Sequence, residues 1–318
     1  MGAHGSLEFL LAADARASVC TAVADWWPRQ AALCARQASP IAAAIAGGYA
    51  ADRLAWAFCA GYQAALRALV PDLPADALAS FCVTEAAGNH PRAIQSLLRP
   101  DPDRAGQWIL DGHKRWTTLG PDSALLLVAA RVEGEAPGGR IPLKLVRVRQ
   151  GAPGVSLRAM SEIRFVPEVA HAEVQFERVA IGAHDVLAGD GYARYVKPFR
   201  TLEDLHVHVA ILAYLLREAR RLEWPRAWIE RTFAALHGLS AIARLDASSP
   251  ATHIALAGAL ATGAALVDEA GPHWEAVAPD PAAERWQRDR ALLSVANKAR
   301  LQRLARAWES VDGIHPGS

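Results

Sequence analysis

Two runs of sequence decide the fold of this chain: Phe81-Cys82-Val83-Thr84-Glu85 and Gly112-His113-Lys114-Arg115-Trp116-Thr117-Thr118-Leu119-Gly120. Each run pairs residues that predict a strand with a polar turn that contains Thr. Between them, Trp108–Leu110 predicts a strand that ends at the turn signal Asp111-Gly112. The apolar run Ala124–Arg131 predicts the strand that follows. Both runs are therefore predicted to lie where strands meet loops.

From Ala79 to Ile181 the hydrophobic residues recur with a period of two and β-branched residues are frequent. Strands are predicted here without helices between them, which favours an antiparallel sheet pair or barrel over a doubly wound sheet. No G-x-G-x-x-G motif follows a strand, so Rossmann-type dinucleotide binding is not expected. The predicted strands are Phe81–Thr84, Trp108–Leu110, Ala124–Arg131, Ile141–Val148, Val155–Ala159 and Ala172–Phe176.

Both flanking regions show the three- and four-residue spacing of amphipathic helices. In the N-terminal region Pro28, Pro40 and Gly47-Gly48 are predicted to punctuate the helices. The C-terminal region predicts an antiparallel bundle of long helices. These are Leu202–Leu222, Trp228–Leu245, His253–Ala270 and Ala282–Trp308. The predicted fold class is α+β, with an N-terminal helical domain (residues 1–75), a middle antiparallel β-domain (76–190) and a C-terminal four-helix bundle (191–318).

Composition limits the classes of function. The chain has 318 residues, 34 of them basic and 33 acidic, and the formal charge of +1 predicts no nucleic-acid partner and no polybasic membrane patch. The four cysteines form no C-x-x-C pair, which argues against a disulfide or zinc framework. The N-terminus lacks a basic n-region, and the apolar stretch Ile254–Val267 is too short to span a bilayer. We therefore predict a soluble, cytoplasmic protein.

The α–β–α order and the two runs together resemble the flavin-dependent acyl-CoA dehydrogenases. In that family a Thr-Glu-Pro loop and a Trp-Ile/Thr-Thr loop of the middle β-domain hold the isoalloxazine ring of FAD. The resemblance implies that Phe81, Val83 and Thr84 contact the pyrimidine side of the ring. It also implies that Trp116 and Thr118 lie beside the reactive nitrogen of the ring. Without the resemblance, the same Thr and Trp residues are equally explained as strand and core residues.

The first loop departs from the family pattern. Where the family has Thr-Glu-Pro-Gly-Ala-Gly-Ser-Asp, this chain has Thr84-Glu85-Ala86-Ala87-Gly88-Asn89-His90, which is one residue shorter and lacks the Pro and the Ser. The resemblance implies that Asn89 donates the hydrogen bond to a phosphate and that Gly88 keeps backbone access. His90 replaces a carboxylate, and a solvated loop residue explains it equally well.

Desaturation of an acyl-CoA needs a carboxylate that removes the α-proton, with a pKa that burial has raised toward neutrality. The Glu-Gly-Thr motif that supplies this base in most of the family is absent. A minority branch, similar to isovaleryl- and long-chain-type enzymes, takes the base from the first bundle helix, and Arg200-Thr201-Leu202-Glu203-Asp204-Leu205 resembles that segment. The resemblance implies that Glu203 is the catalytic base. The alternative is a carboxylate that only stabilises the helix start.

Three further residues bear on ligands. Asp204 stands where the family usually has an Arg near CoA, and we expect its charge to repel a polyanionic ligand. Glu230-Arg231-Thr232-Phe233-Ala234 resembles the segment whose Arg contacts the pyrophosphate of FAD, which implies that Arg231 is a phosphate ligand. The alternative for Arg231 is an ordinary surface residue. Glu203-x-x-His206 resembles half of a di-iron site, but no second such motif occurs in the predicted bundle helices, so no metal is predicted.

Three functions remain open from the sequence. The first is FAD-dependent α,β-desaturation of acyl-CoA or another acyl thioester, which the ring-contacting runs favour. The second is a catalytically degenerate partner subunit of a heteromeric acyl-CoA dehydrogenase. The third is a non-redox ligand-binding or structural relic of the fold. The missing Glu-Gly-Thr motif favours the second and third together. The bundle predicts a homo-oligomer, or a hetero-oligomer with a full-length dehydrogenase.

Overall fold

The structure is a computed structural model that describes residues 5–12, 14–88, 90–134, 142–161, 163–277 and 279–313. The chain divides into two compact units. The first, here called the helical unit, comprises Met1–Asp72, Arg164–Val166 and Arg200–Ser318. The second, here called the β unit, comprises Leu73–Ile163 and Pro167–Phe199. The N-terminal and C-terminal helical regions thus belong to the same unit.

A seven-stranded sheet forms the β unit. Its strands are β1 (Ala79–Cys82), β2 (Leu97–Pro100), β3 (Trp108–Thr118), β4 (Leu125–Val132), β5 (Leu143–Arg149), β6 (Val155–Ala159) and β7 (His171–Ile181). They pair in the order β1-β4-β2-β3-β7-β6, and β5 pairs with β4. The alternating apolar residues of these strands meet in one core that includes Leu110, Val128, Val146 and Phe176. The sequence predicted every strand of this sheet except the short β2.

The sheet is mixed, whereas the sequence predicted an antiparallel one. The β2–β3, β3–β7, β4–β5 and β6–β7 pairs are antiparallel as predicted. The β1–β4 and β2–β4 pairs are parallel. Hydrophobic alternation reports which face of a strand is buried, but it does not report strand direction. In the sequence, β2 and β3 lie between β1 and β4. The chain passes through those two strands before β4 pairs with β1 in the parallel direction.

No turn forms at Asp111-Gly112, and the prediction of one was wrong. β3 continues from Trp108 to Thr118, and its register against β7 shifts between Leu110 and Gly112. Such a shift marks a β-bulge. A Cβ atom on Gly112 would lie 2.3 Å from the Ser96 hydroxyl oxygen, so only glycine allows this close approach. The Asp111 carboxylate accepts a hydrogen bond from the backbone N–H of Arg178 at 2.7 Å, which stabilises the bulge.

The helical unit contains long helices on both sides of the β unit in sequence. They are α1 (Gly5–Ala12), α2 (Val23–Cys34), α3 (Pro40–Ala50), α4 (Leu54–Leu69), α5 (Lys197–Arg221), α6 (Arg226–Ile242), α7 (Pro250–Ala276), α8 (Pro281–Asp289) and α9 (Asn297–Asp312). Pro28 and Gly47-Gly48 lie inside α2 and α3, so the prediction that they punctuate helices was wrong. A Cβ atom on Gly48 would lie 2.1 Å from the backbone oxygen of Ala210. Gly48 therefore allows α3 to pack closely on α5.

The last two predicted helices differ from the structure. α7 runs through Gly271 and Pro272 to Ala276, and its 27 residues are long and apolar enough, by length and composition alone, to cross a membrane. The helix is thus longer than the predicted apolar stretch Ile254–Val267, and one face of α7 is buried in the helical unit. The predicted helix Ala282–Trp308 is broken by a 3-10 turn at Arg290–Ser294. The break follows Asp289, whose carboxylate accepts a hydrogen bond from the Val166 N–H at 2.8 Å.

Candidate functional site

The two runs singled out in the sequence lie side by side in the β unit. The backbone N–H of Arg115 donates to the Thr84 carbonyl at 2.8 Å, and the Ser80 hydroxyl donates to the Thr118 carbonyl at 2.7 Å. β1 and the loop after it are thus hydrogen-bonded to the second half of β3. Residues that are far apart in the sequence therefore share one edge of the unit.

A buried ion pair locks these runs together. The Lys114 ammonium lies 2.6 Å from a Glu85 carboxylate oxygen, and the Lys114 side chain has no exposed surface. The same carboxylate accepts hydrogen bonds from the backbone N–H groups of Gln95 and Ser96 and from the Ser96 hydroxyl. Burial alone would raise the pKa of Glu85, but Lys114 and these donors hold it below its usual range. Burial also lowers the pKa of Lys114, against the attraction of Glu85.

Sequence reasoning missed this pair because it assigned both residues to polar turns. In a turn, Lys and Glu are ordinary solvated residues and need no partner. Had β3 been predicted through to Thr118, Lys114 would have been placed inside a strand and not in a turn. A Lys at such a position signals a buried carboxylate partner, since an unpaired buried ammonium is costly.

Trp116 has an unusual backbone conformation at this edge. Its φ angle is 56°, in the left-handed region, and the register of β3 against β7 shifts between Lys114 and Thr117. The indole is 49% exposed, and the backbone N–H approaches the Met160 sulfur at 3.4 Å. A large aromatic residue at positive φ is an outlier that the surrounding structure must stabilise. The strand bulge therefore presents an aromatic ring at the surface of the β unit.

Thr118 has a partner that the sequence did not predict. Its hydroxyl is joined to Nε2 of His171 by a hydrogen bond of 3.3 Å. The His171 ring also packs edge-on against Trp116, with 6.0 Å between ring centroids. Burial lowers the pKa of His171 below its usual value, so the ring is neutral at neutral pH. Trp116, Thr118 and His171 form one contiguous group.

The other residues predicted to contact the ring lie on β1 and the loop after it. Phe81 packs on the ring of Phe199, with centroids 4.3 Å apart. Val83 is buried and Thr84 is half-buried. The loop then closes through two backbone hydrogen bonds between Glu85 and Gly88, at 3.0 and 2.9 Å. Asn89, the predicted phosphate donor, lies outside the described residues.

Glu203 lies in the first turns of α5, in the helical unit. Burial and, after it, the neighbouring Asp204 carboxylate raise the pKa of Glu203 to about 7. The side chain is half-buried, and no hydrogen bond reaches it from the described part of the chain. A carboxylate with these properties ionises at neutral pH and is free to accept a proton. Its pKa meets the requirement stated above for the base.

Asp204 is neutralised within the helical unit. Its two carboxylate oxygens accept hydrogen bonds from Arg300 Nε at 2.8 Å and from an Arg303 Nη atom at 2.7 Å. Both arginines belong to α9. We had expected the Asp204 charge to repel a polyanion, but two cations surround this one carboxylate, and the local charge of these three residues is positive. At the position where the resemblance implies an Arg, α5 has Asp204. The nearby cations are Arg300 and Arg303 of α9, which bind Asp204.

Two histidines follow on α5. Nδ1 of His206 is hydrogen-bonded to the Leu202 carbonyl, and Nδ1 of His208 to the Asp204 carbonyl, both at 2.7 Å. Burial lowers the pKa of each ring to about 4, so both are neutral at neutral pH. Among the described residues, no three His, Cys, Asp or Glu side chains are grouped so that they could hold a metal ion.

Arg231, the predicted phosphate ligand, lies on the surface of the helical unit. Its two Nη atoms bind the two carboxylate oxygens of Glu269 on α7, one of them at 2.9 Å. Both side chains are about half exposed. A phosphate would therefore compete with Glu269 for this guanidinium group.

Comparison with known proteins agrees with this architecture. The sequence model of the acyl-CoA dehydrogenase middle domain matches residues 80–179, which include both runs. Residues 80–179 are thus similar to the middle domain of the acyl-CoA dehydrogenases. Among curated proteins, "Probable acyl-CoA dehydrogenase FadE10" of Mycobacterium tuberculosis is 28% identical over 134 residues, which is 42% of this chain and 20% of FadE10. The match thus spans about a fifth of that relative.

Solved acyl-CoA dehydrogenases share the fold of the whole chain. Butyryl-CoA dehydrogenase from Megasphaera elsdenii has a TM-score of 0.65 at 16% identity, covering 86% of this chain and 83% of its own. The prolyl acyl carrier protein oxidase AnaB has a TM-score of 0.66 at 13% identity, covering 95% and 96%. A glutaryl-CoA dehydrogenase from Mycobacterium smegmatis, in complex with FADH2, has a TM-score of 0.61 at 13% identity, covering 96% and 92%. The predicted α+β acyl-CoA dehydrogenase-like fold is confirmed.

The edge of the β unit fits the ring of a flavin. A flavin needs an aromatic or apolar cover and hydrogen-bonding groups at its polar edge. The exposed indole of Trp116 offers the first, and the Thr118 hydroxyl beside it offers the second. The residue predicted to bind the pyrophosphate fits less well, because Arg231 is paired with Glu269.

Proposed function

We propose that this protein is an FAD-dependent dehydrogenase that desaturates an acyl thioester between its α and β carbons. The observation that carries the proposal is the middle-domain match over residues 80–179, together with the exposed Trp116 beside Thr118 within it. FAD, when bound, supplies the acceptor for the β-hydride. The remaining chemistry, which is binding, exclusion of water and proton removal, falls to residues of this chain.

For the cofactor we assign a role to each predicted contact. Trp116 covers the ring and excludes water from it, and Thr118 bonds at the polar edge. Phe81, Val83 and Thr84 flank the pyrimidine side. Asn89 and Arg231 are proposed as phosphate contacts, and Arg231 must exchange its Glu269 partner for the phosphate.

For the proton transfer we propose Glu203 as the base. Its pKa of about 7 leaves a large fraction ionised at neutral pH while keeping it basic enough to remove an acidified α-proton. The positive cluster of Asp204, Arg300 and Arg303 supports the proposal, because it removes the repulsion that a lone Asp204 would exert on an anionic thioester carrier.

The substrate class that we propose is an acyl-CoA or another acyl thioester. The related butyryl-CoA and glutaryl-CoA dehydrogenases and the AnaB oxidase are named for thioesters of CoA or of an acyl carrier protein. We further propose that the protein works in the cytoplasm and that its bundle assembles into an oligomer.

The visible spectrum of the purified protein tests the proposal. We expect a bound flavin, or one that binds on addition of FAD, and bleaching of its absorption band when a suitable acyl-CoA is added without oxygen. Glu203→Gln should retain the flavin and slow bleaching by at least about a hundredfold, the low end of what a general base contributes. Glu309→Gln, an exposed carboxylate of α9, is the control and should bleach normally. A protein that takes up no FAD contradicts the proposal.

A second function, that of a partner subunit in a heteromeric dehydrogenase, is favoured by the surface of α9. Large apolar side chains are exposed there and in the turn before it. They are Val295, Leu301, Trp308 and Val311. Exposed apolar groups close together commonly mark a protein contact. If this function is correct, mixing with a full-length dehydrogenase should give a stable hetero-oligomer by light scattering, and Trp308→Glu should prevent it.

A further inference from the structure

A cavity of about 870 Å³ lies within the helical unit. It is bounded by α5, by α7 and by the segment from α8 through the 3-10 turn to α9. Sites for small molecules usually have volumes of about 300 to 1,000 Å³. The cavity is partly open to solvent, since Leu301 of its lining is exposed, and it is large enough to hold a ligand.

One wall of the cavity is apolar. It is formed by Ile211 and Leu212 of α5 and by Leu260, Ala264 and Val267 of α7. Gly263 also lines it, and a Cβ atom on Gly263 would meet only the Leu212 side chain, at the ordinary contact distance of 3.7 Å. The small residues of α7 thus leave space that a helix with larger side chains would fill. An apolar ligand body would find favourable burial there.

The segment from α8 to α9 adds the polar groups of the lining, among apolar side chains such as Trp286, Leu293 and Leu304. The 3-10 turn at Arg290–Ser294 and the start of α9 bring Arg290, Asn297 and Arg300 to the cavity, and α5 adds His208. Nδ1 of His208 is hydrogen-bonded to the Asp204 carbonyl, and burial keeps the ring neutral with a pKa of about 4. Its Nε2 atom therefore remains as a hydrogen-bonding group within the described part of the chain.

The charge around the cavity is positive. Arg300 shares the Asp204 carboxylate with Arg303, so this cluster carries one positive charge more than it carries negative charge. Glu203 beside it is only partly ionised at neutral pH. Arg290 lines the cavity and makes no ion pair with the described residues, and Asp268 supplies a carboxylate to the same lining. An anionic head group would be attracted, whereas a cationic one would be repelled.

We propose that this cavity binds a fatty acid or a similar amphipathic carboxylate, with its apolar body against α7 and its carboxylate toward Arg290, Asn297 and Arg300. The inference does not depend on FAD binding, because all of the lining residues belong to the helical unit. A neutral amphiphile lacks the negative charge that Arg290 and Arg300 would attract. A protein segment would have to place an apolar side chain against α7 and a carboxylate near Arg290 and Arg300 at the same time.

Calorimetric titration of the full chain with decanoate tests the proposal, and decan-1-ol provides a neutral ligand of the same chain length. We expect saturable binding of one decanoate, with decan-1-ol at least about tenfold weaker, which corresponds to about 1.4 kcal/mol. Gly263→Leu should fill the cavity and weaken decanoate binding by more than about tenfold. Gly258→Leu is the matched control, since Gly258 lies on the same helix, is exposed and does not line the cavity. Decanoate affinity should be unchanged in it.

A charge variant distinguishes the contribution of the ligand's carboxylate to binding from that of its apolar chain. Arg290→Gln should weaken decanoate several-fold and leave decan-1-ol unchanged, while Arg306→Gln, an exposed residue of α9 outside the cavity, should change neither. Absence of saturable decanoate binding overturns the proposal, as do equal losses in the two glycine variants. If only Gly263→Leu changes the oligomeric state and no decanoate binds, the cavity is a protein contact and not a ligand site.

Discussion

Two buried ion clusters, one in each unit, neutralise a carboxylate in different ways. In the β unit, Glu85 faces one lysine, Lys114, which is 29 residues away in the sequence and has no exposed surface. In the helical unit, Asp204 faces two arginines, Arg300 and Arg303, which are 96 and 99 residues away. The exposed fractions of those arginine side chains are 19% and 15%.

The difference concerns what each cluster fixes. Glu85 is saturated by Lys114 and by donors of Gln95 and Ser96, so it holds the loop after β1 against β3 with no charge to spare. Asp204 is outnumbered by cations, so it holds α9 on α5 and leaves a positive charge beside Glu203. The first cluster is structural support for the candidate ring site. The second also sets the electrostatics of the candidate base.

The largest effect is expected from Lys114→Met. This change leaves the Glu85 carboxylate buried without its cation, and loss of one partner of a buried pair costs about 3–5 kcal/mol. Urea denaturation should report that loss of the free energy of unfolding. Lys144→Met, in the same unit but with an ammonium that donates to the Gly189 carbonyl in an exposed hydrogen bond, is the control and should lose far less. Equal losses would mean that burial of the pair is not what matters.

The same pair predicts acid sensitivity. The pKa of Glu85 is lower in the folded protein than its ordinary value of 4.5. Its ionised form therefore stabilises the fold fully above pH 4.5, and this stabilisation is lost as the pH falls through the lowered pKa. The double variant Glu85→Gln/Lys114→Met should lose less stability below pH 4.5 than the wild type does. Parallel acid curves for the two proteins would count against the pair.

A smaller effect is expected from Asp204→Asn. Two arginines lose their carboxylate, but their partly exposed heads gain water, so we expect a cost of about 2–3 kcal/mol. Hydrogen exchange should show α9 opening more readily, because α9 supplies both arginines. Asp268→Asn, an exposed carboxylate of α7, is the control and should leave exchange in α9 unchanged. Unchanged exchange in Asp204→Asn would show that other contacts hold α9.

A pH-dependent effect is expected at Glu203, whose folded pKa of about 7 lies above the ordinary value of 4.5. The folded state holds this proton more tightly, so the wild type loses stability as the pH rises from 4.5 to about 7, and the loss is complete above that range. Glu203→Gln cannot ionise and should gain stability relative to the wild type between pH 5 and pH 8. Denaturation at both pH values, with Glu309→Gln as control, measures the change. A constant difference between the two pH values would place the pKa of Glu203 near its ordinary value.

The sequence predicts the parts of this architecture that local patterns encode. Alternation located nearly all of the strands, and the two runs located the edge of the β unit that carries Trp116 and Thr118. It did not predict the Lys114 pair, because Asp111-Gly112 signals a hairpin turn in most settings and here forms a bulge. It also missed His171, whose bond to Thr118 joins residues 53 apart. Contacts of that kind depend on strand register, which a single sequence specifies weakly.

The helical unit shows the same division between local and distant information. Helical spacing of apolar residues located α5 and α6 closely. The break after Asp289 was not predicted, and it coincides with a hydrogen bond that Asp289 accepts from Val166, 123 residues away. The Asp204 cluster was also missed. Those distant contacts shape both the cavity and the surroundings of Glu203.

The smallest effect on stability is expected from Arg231→Gln. This change removes a surface ion pair, in contrast to the two buried clusters. Arg231 and Glu269 are both about half exposed, so water and salt already screen their attraction. The melting temperature should not change measurably. Arg226→Gln, an exposed residue at the start of the same helix, is the matched control.

The same variant decides the proposed role of Arg231. If this guanidinium group binds the pyrophosphate of FAD, Arg231→Gln should weaken FAD binding by at least about tenfold, whereas Arg226→Gln should not. Glu269→Gln should strengthen FAD binding, because it frees Arg231 from its competing carboxylate without removing the cation. Opposite effects of the two changes on FAD affinity, at constant melting temperature, are therefore the signature of a phosphate ligand. No change in either variant would leave Arg231 as a surface residue paired with Glu269.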